Sequence, residues 1–215
     1  MNFGTVLTAM VTPFDAEGEI DYNATAKLIE HLIATGTDGL VVAGTTGESP
    51  TITTREKVDL FEFTVNQVNG RIPVLAGTGS NNTRESVELT KEADAAGVDG
   101  IMLVVPYYNK PSQEGMYAHF TEIAKATDLP IMLYNIPGRT SVNMEPETII
   151  RLSRIENIVS VKEASGDLDA AAKIIEETDD NFSVYSGDDG MTIPMLSIGG
   201  TGVVSVSAHV IGREM

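Results

Sequence analysis

The chain has 215 residues, 42% of them hydrophobic and 21% charged, which suits a single globular domain. It contains no cysteine, which excludes disulfides, thiolate chemistry and cysteine metal sites. The formal net charge of −17 argues against nucleic acid or an anionic membrane as a partner, but permits a small anionic substrate where cations gather locally. No apolar run approaches the ~18 residues of a membrane span, and the N-terminus lacks the basic region of a signal peptide, so we expect a cytoplasmic protein.

Short apolar runs alternate with amphipathic helical patterns along the chain. The predicted strands lie at 5–11, 39–44, 72–77, 100–106, 130–135, 158–162, 182–186 and 202–207. The predicted helices between them lie at 21–35, 53–68, 82–97, 112–126, 145–154, 168–178 and 190–198. Strands that alternate with helices at this spacing indicate βαβ units and a parallel sheet.

The count of strands predicts an α/β fold, a (β/α)₈ TIM barrel formed as a single domain over 1–215. A doubly wound open sheet is the alternative. The eighth helix and a C-terminal helical region are expected to be missing, or reduced to 210–215. An uncovered barrel wall would expose apolar surface, so the chain would be a fragment, or neighbouring subunits would cover the gap.

Lys162 is the most reactive candidate, because it ends the predicted strand 158–162. An ammonium group is costly to desolvate, so burial there should lower its pKa and leave part of it as a free amine. A free amine can condense with a carbonyl compound to form a Schiff base. The alternative is a snorkelling lysine that pairs with a carboxylate at the mouth of the strand.

Two threonines follow the second predicted strand, at the end of the sheet where barrel enzymes carry their chemistry. Thr45 and Thr46 stand between Gly44 and Gly47. Their hydroxyls and the backbone N–H groups of such a tight loop could bind a carboxylate or an oxyanion. The alternative is an ordinary turn that precedes a helix cap.

Tyrosines and an arginine follow the fourth and fifth predicted strands. Of Tyr107 and Tyr108, one could place its hydroxyl in the site and the other its ring at an interface, or both could be packing residues. Tyr134 should point from its strand end, and Arg139 could clamp a substrate carboxylate or lie on the surface. Together with Lys162, these residues favour Schiff-base chemistry on an anionic carbonyl compound, with hydroxyl groups relaying the protons.

We expect no metal site and no cofactor. Asp188 and Asp189 follow the seventh predicted strand, but metal aldolases and isomerases generally need histidines or further carboxylates nearby. The three histidines lie within predicted helices or alone after the eighth strand, at His31, His119 and His209. The chain also lacks a complete nucleotide-binding fingerprint.

Four motifs carry a resemblance to a known family, which extends from about Thr5 to His209. They are Gly-Thr-Thr-Gly-Glu at 44–48, Pro-Tyr-Tyr-Asn-Lys-Pro at 106–111, Tyr-Asn-Ile-Pro-Gly-Arg-Thr at 134–140 and Val-Lys-Glu-Ala-Ser at 161–165. With them the chain resembles the dihydrodipicolinate synthase family, in the superfamily of pyruvate-dependent Schiff-base aldolases that includes N-acetylneuraminate lyase. The neuraminate lyases lack an arginine matching Arg139, so this residue indicates the synthase branch.

The resemblance implies a reaction and a role for each site residue. Lys162 would form the Schiff base with pyruvate, and the enamine would attack L-aspartate 4-semialdehyde in the diaminopimelate route to lysine. Tyr134, Thr45 and Tyr108 would relay protons, and Thr45 and Thr46 would bind pyruvate. Arg139 would bind the carboxylate of the semialdehyde. Gly187 and Val204 would line the pyruvate end of the pocket. Tyr108 would reach in from the neighbouring subunit of a homo-oligomer, a dimer or a tetramer.

The resemblance leaves two alternatives and adds one regulatory expectation. The chain could be another pyruvate aldolase, an N-acetylneuraminate or keto-deoxy-sugar lyase, or an inactive truncated barrel, because family members usually continue beyond this point. Many members are inhibited by lysine at a dimer interface, and the residues that match that site here are Ser49, Asn81, Glu85 and Tyr107. Lys57 stands where histidine is common, and its charge would repel bound lysine. We therefore expect weak or no inhibition by lysine.

Overall fold

The computed structural model describes residues 3–215, and the strands within them close into a parallel barrel. The strands β1 to β8 are Val6–Ala9, Gly39–Val42, Val74–Gly77, Gly100–Val104, Ile131–Asn135, Ile158–Glu163, Ser183–Ser186 and Gly202–Ser205. Each strand pairs in parallel with the next, and β1 also pairs with β8. The predicted TIM barrel is therefore confirmed, and the open sheet is wrong.

Helices surround the barrel at every position where the sequence predicts one. The helices α1 to α9 are Tyr22–Ala34, Thr54–Val68, Thr83–Ala95, Gln113–Ala124, Pro137–Thr140, Pro146–Leu152, Leu168–Glu177, Thr192–Ser197 and Ala208–Ile211. Short 3₁₀ turns lie at Ser49–Thr51, Asp189–Met191 and Gly212–Glu214. The sequence did not predict α5 or the turn at Ser49–Thr51, because a single turn is too short to show helical periodicity.

Side-chain caps fix the start of several helices that follow loops at the mouth of the barrel. The hydroxyl of Thr53 accepts a hydrogen bond from the N–H of Glu56, whose carboxylate accepts one from the N–H of Thr53. This is the predicted capping box, and it satisfies two helix N–H groups reciprocally. The other side-chain caps of α-helices are Asp21, Asn82, Ser112 and Asp167.

The hydrophobic core has two layers because side chains alternate between the two faces of a strand. The larger layer lies between strands and helices, and the smaller one fills the inside of the barrel. Tyr134 belongs to the inner layer, and Lys162 pairs with it in the β5–β6 register. The next pair in that register, Asn135 and Glu163, consequently points out of the barrel.

The wall between α8 and α1 is covered less than the rest of the barrel. After β8 the structure has α9 and the turn Gly212–Glu214, so the reduced eighth helical element begins two residues earlier than the predicted 210–215. Ile193 and Val210 are 74% and 85% exposed there, which confirms the expected apolar surface. Within residues 3–215, no helix has the length and the apolar content needed to cross a membrane.

Candidate active site

A cavity of about 250 Å³ opens at the carboxyl ends of β2 to β5. Its wall includes three of the predicted site residues, Thr45, Tyr134 and Arg139, together with Ser49 and Tyr107. This is the end of a barrel at which the loops after the strands build active sites. The cavity is small, so it suits a compact substrate rather than a nucleotide or a peptide.

Lys162 does not line this cavity but contacts Tyr134, which does, and it is 5% exposed. Its Nζ atom lies 4.2 Å from the centroid of the Tyr134 ring. Burial lowers the pKa of Lys162 to about 8, and the nearby charge of Arg139 also lowers it, while that of Asp189 raises it. The predicted direction of the pKa shift is therefore confirmed. The snorkelling alternative is wrong, since the amine is not in water and no ion pair among residues 3–215 includes it.

The lowered pKa of Lys162 changes its reactivity at neutral pH. With a pKa of about 8, roughly a tenth of the side chain is a neutral amine at pH 7, against about 0.03% for the ordinary value of 10.5. Only the neutral form has the lone pair that attacks a carbonyl carbon. Burial thus makes the amine more reactive without any neighbouring base.

Tyr134 connects Lys162 with the cavity. Its side chain is almost completely buried, and both its ring and the side chain of Thr45 line the cavity. Burial raises the pKa of Tyr134, so the hydroxyl keeps its proton at neutral pH, while Thr45 and the charge of Arg139 lower it. A protonated phenol beside a neutral amine can both donate and accept in a proton relay.

The loop that carries the two threonines is held in a defined shape. Ala43 and Glu48 adopt left-handed conformations with φ of 52° and 57°, which are uncommon for residues other than glycine. The hydroxyl of Thr12 donates to the backbone oxygen of Gly47 at 2.7 Å. Thr45 faces the cavity from this loop, whereas Thr46 is half-buried and does not line the cavity.

The adjacent tyrosines occupy different environments. Tyr107 lines the cavity, and Tyr108 is 87% exposed with a φ of 71°. The alternative, that both tyrosines are half-exposed packing residues, is therefore wrong for Tyr108. The side chain of Tyr108, on a loop with a strained backbone, therefore lies outside the cavity of its own chain.

Neither Gly187 nor Val204 lines the cavity, and Gly187 lies beside Lys162. A Cβ atom added to Gly187 would lie 2.6 Å from the Cβ of Ala164 and 3.1 Å from the Cε of Lys162, so a glycine is needed there. Val204 is buried inside the barrel in the same layer as Tyr134.

Asp189 has an electrostatic role that the sequence did not indicate. Its carboxylate accepts hydrogen bonds from the hydroxyls of Ser205 and Ser207 and from the N–H of Ser207, which hold it near Lys162. The sequence pointed to Asp188 and Asp189 only as possible metal ligands. Among residues 3–215, no three His, Cys, Asp or Glu side chains are grouped so as to hold a metal ion.

A (β/α)₈ barrel with a partly neutral, buried lysine at its carboxyl end defines a class of enzyme that works through a lysine amine. Comparison with known proteins gives the family. The model of the dihydrodipicolinate synthetase family matches residues 2–215. A 4-hydroxy-tetrahydrodipicolinate synthase of Bacillus velezensis is 63% identical over 215 residues, which are 100% of this chain and 74% of that protein.

Solved structures agree with this match. The dihydrodipicolinate synthase of Bacillus anthracis superposes with a TM-score of 0.99 at 59% identity, over 100% of this chain and 74% of that one. The enzyme from Cyanidioschyzon merolae, solved with lysine bound, gives 0.97 at 53% identity, over 99% and 72%. This chain belongs to the dihydrodipicolinate synthetase family. It is an aldolase-type lyase, as the resemblance of its motifs implied.

The lowered pKa predicts the pH range over which Lys162 reacts. Because the reactive form is deprotonated, its rate of acetylation should rise about tenfold per pH unit below pH 8 and level off above it. Competitive acetylation, followed by mass spectrometry of the peptide that contains Lys162, measures this rate. Lys173 is the internal control, because its hydrogen bond to Glu147 raises its pKa and its rate should still increase above pH 10. A midpoint near 10 for Lys162 would contradict the prediction.

Proposed function

We propose that this chain is a 4-hydroxy-tetrahydrodipicolinate synthase, which condenses pyruvate with L-aspartate 4-semialdehyde in the diaminopimelate route to lysine. The observation that carries the proposal is the buried amine of Lys162 against Tyr134, in a chain 63% identical to a protein of that name. N-acetylneuraminate and keto-deoxy-sugar lyases are not favoured, since the close relatives bear the name of the synthase. A biosynthetic step of this kind would take place in the cytoplasm.

In the proposed first step, the neutral amine of Lys162 attacks the keto carbon of pyruvate. The carbonyl oxygen takes up two protons and leaves as water, and a Schiff base remains on the lysine. Tyr134 would pass these protons, which is supported by its ring against Nζ and by the effect of Thr45 on the pKa of its hydroxyl. Thr45 and Thr46 would bind the pyruvate carboxylate, and Gly187 and Val204 would line the space beside it.

In the second step, loss of a proton from the pyruvate methyl group converts the Schiff base into an enamine. The enamine carbon attacks the aldehyde of the second substrate, and a new carbon–carbon bond forms. The amino group of that substrate then displaces Lys162 as the product cyclises, which regenerates the free amine. Arg139, on the wall of the cavity, would bind the carboxylate of the semialdehyde with charge-assisted hydrogen bonds.

The proposed assembly is a homo-oligomer, a dimer or a tetramer. Tyr108 supports it, because this side chain is 87% exposed, is held at a φ of 71° and does not line the cavity of its own chain. From a neighbouring subunit, its hydroxyl would complete the relay with Tyr134 and Thr45. The net charge of −17 supports neither nucleic acid nor an anionic membrane as a partner.

The first test is borohydride trapping with pyruvate. We expect a mass adduct on Lys162 in the unaltered protein and none in Lys162→Ala. Arg139→Ala should keep the adduct and lose turnover of the semialdehyde by about 100-fold or more, since removing one partner of a charge-assisted pair costs ~3 kcal/mol. A cooperative melt of each variant is the folding control.

The outcomes of trapping separate the candidate functions. If the adduct forms and Arg139→Ala uses other aldehydes as well as the unaltered protein does, the result would favour another pyruvate aldolase. Absence of the adduct in a protein that melts cooperatively would favour the inactive barrel.

Tyr108→Phe tests the shared relay. We expect turnover to fall by about 100-fold while the melting temperature is unchanged, because one proton-relay hydroxyl is lost and the exposed ring is kept. Steady-state kinetics and a thermal melt measure the two quantities. Tyr117→Phe, which lies on α4 away from the cavity, is the matched control. Unchanged turnover in Tyr108→Phe would count against the relay.

Lysine should inhibit weakly or not at all. Lys57 is partly buried beside Glu85, and burial lowers its pKa while Glu85 raises it. A cation at this position would repel the side chain of a bound lysine. Initial rates with increasing lysine measure the effect, and Lys57→His should increase the sensitivity. Strong inhibition of the unaltered protein at low millimolar lysine would contradict the prediction.

A further inference from the structure

A buried polar pair on the outer face of the barrel takes no part in the reaction described above. Asn135 and Glu163 pair in the β5–β6 register, one residue beyond Tyr134 and Lys162. They are 1% and 3% exposed, so both side chains are removed from water almost completely. Polar groups buried to this extent need internal hydrogen bonds, and a lone carboxylate is especially costly there.

The carboxylate of Glu163 has amide donors and no cation. It accepts from the N–H of Ser165 at 2.7 Å and from Nδ2 of Asn135 at 3.0 Å. Among residues 3–215, no ion pair includes it. Burial and the charge of Asp167 raise the pKa of Glu163, and hydrogen bonding to Ser165 and Asn135 lowers it. Its acceptor oxygens are therefore matched to N–H groups rather than to a charge.

Asn135 connects Glu163 with the segment that carries Arg139. Its Oδ1 accepts from the N–H of Met144 at 3.0 Å, and its Nδ2 donates to Oδ1 of Asn143 at 2.8 Å. These two bonds attach the far end of segment 136–144 to the end of β5. Arg139 lies within this segment, on the short helix α5.

Two neighbours orient the amide of Asn135, the N–H of Met144 on one side and the acceptor oxygens of Glu163 on the other. The N–H of Met144 needs an acceptor, so Oδ1 of Asn135 must face it and Nδ2 must face Glu163. Both oxygens of the Glu163 carboxyl group face N–H donors as acceptors, which makes the opposite orientation of the amide unfavourable. A glutamine at position 163 has only one oxygen. If that oxygen accepts from the N–H of Ser165, the amide NH₂ faces Nδ2 of Asn135, so two donors meet and the bond between the two side chains is lost.

We propose that Glu163 and Asn135 are positioning residues, whose hydrogen-bonded pair holds segment 136–144 so that Arg139 faces the cavity and binds the carboxylate of the acceptor aldehyde. The pair acts through Arg139 and does not touch the substrate. This inference rests on the proposed function, because it uses the role proposed there for Arg139.

The test combines Glu163→Gln with a swapped pair, Glu163→Gln with Asn135→Asp. In the single variant, we expect amide hydrogen exchange in 136–144 to become about tenfold faster. The KM for the semialdehyde should rise about tenfold, while the KM for pyruvate and the trapped adduct on Lys162 stay within twofold. The swapped pair reverses donor and acceptor, so it should return both quantities to within about threefold of the unaltered protein.

Two further variants keep the test decisive if Glu163→Gln does not fold. Asn143→Ala removes one bond of the network from an exposed side chain, and should shift exchange and KM about threefold in the same direction. Asn157→Ala is the control, because its side chain bonds to the carbonyls of Ala124 and Thr127 at the other end of β6. It should lower the melting temperature without changing exchange in 136–144.

Unchanged exchange in 136–144 would overturn the proposal, and so would faster exchange with an unchanged KM for the semialdehyde. A parallel loss of trapping and of melting temperature, not restored in the swapped pair, would show a merely structural role. If the unaltered protein forms no pyruvate adduct, the proposed function fails. Hydrogen exchange would still decide whether the pair holds the segment.

Discussion

The desolvation of one amine is the constraint on which the rest of this structure depends. Lys162 lies inside a closed barrel, and no carboxylate within residues 3–215 forms an ion pair with it. The cost of burying its charge lowers its pKa to about 8. Asp189 attracts the charged form, but burial outweighs that attraction. Burial of the many apolar side chains in the two core layers offsets this cost and stabilises the fold that keeps the amine away from water.

The side chains around Lys162 are consistent with the burial of an unpaired amine. The Tyr134 ring covers the amine without neutralising it, and Gly187 leaves room beside the lysine chain because no Cβ fits there. Asp189 is saturated by serine donors, so it modulates the amine from a distance instead of pairing with it. A partly neutral amine, an aromatic cover and a distant charge are consistent with the lyase family to which the chain belongs.

Much of this arrangement could be predicted from residues alone. The capping box at Thr53 marked the start of α2, and the apolar runs marked the strands, because periodicity and caps are local properties. Lys162, Tyr134 and Arg139 could be chosen because each lies at the carboxyl end of a strand or in the loop after it. The helix α5 escaped detection, since one turn has no period. The pairing of Asn135 with Glu163 also escaped, because it depends on the register of two strands 28 positions apart.

By itself the sequence determined the order of strands and helices, the barrel class and the choice of Lys162 as the candidate amine, since these depend on neighbouring residues. Only the tertiary structure decided how deeply Lys162 is buried, which side chains face it and which of the two tyrosines lines the cavity. Burial and electrostatic coupling are sums over residues that folding brings together from distant parts of the chain. The pKa of a side chain is such a sum, so the sequence could indicate its direction and the fold was needed for its size.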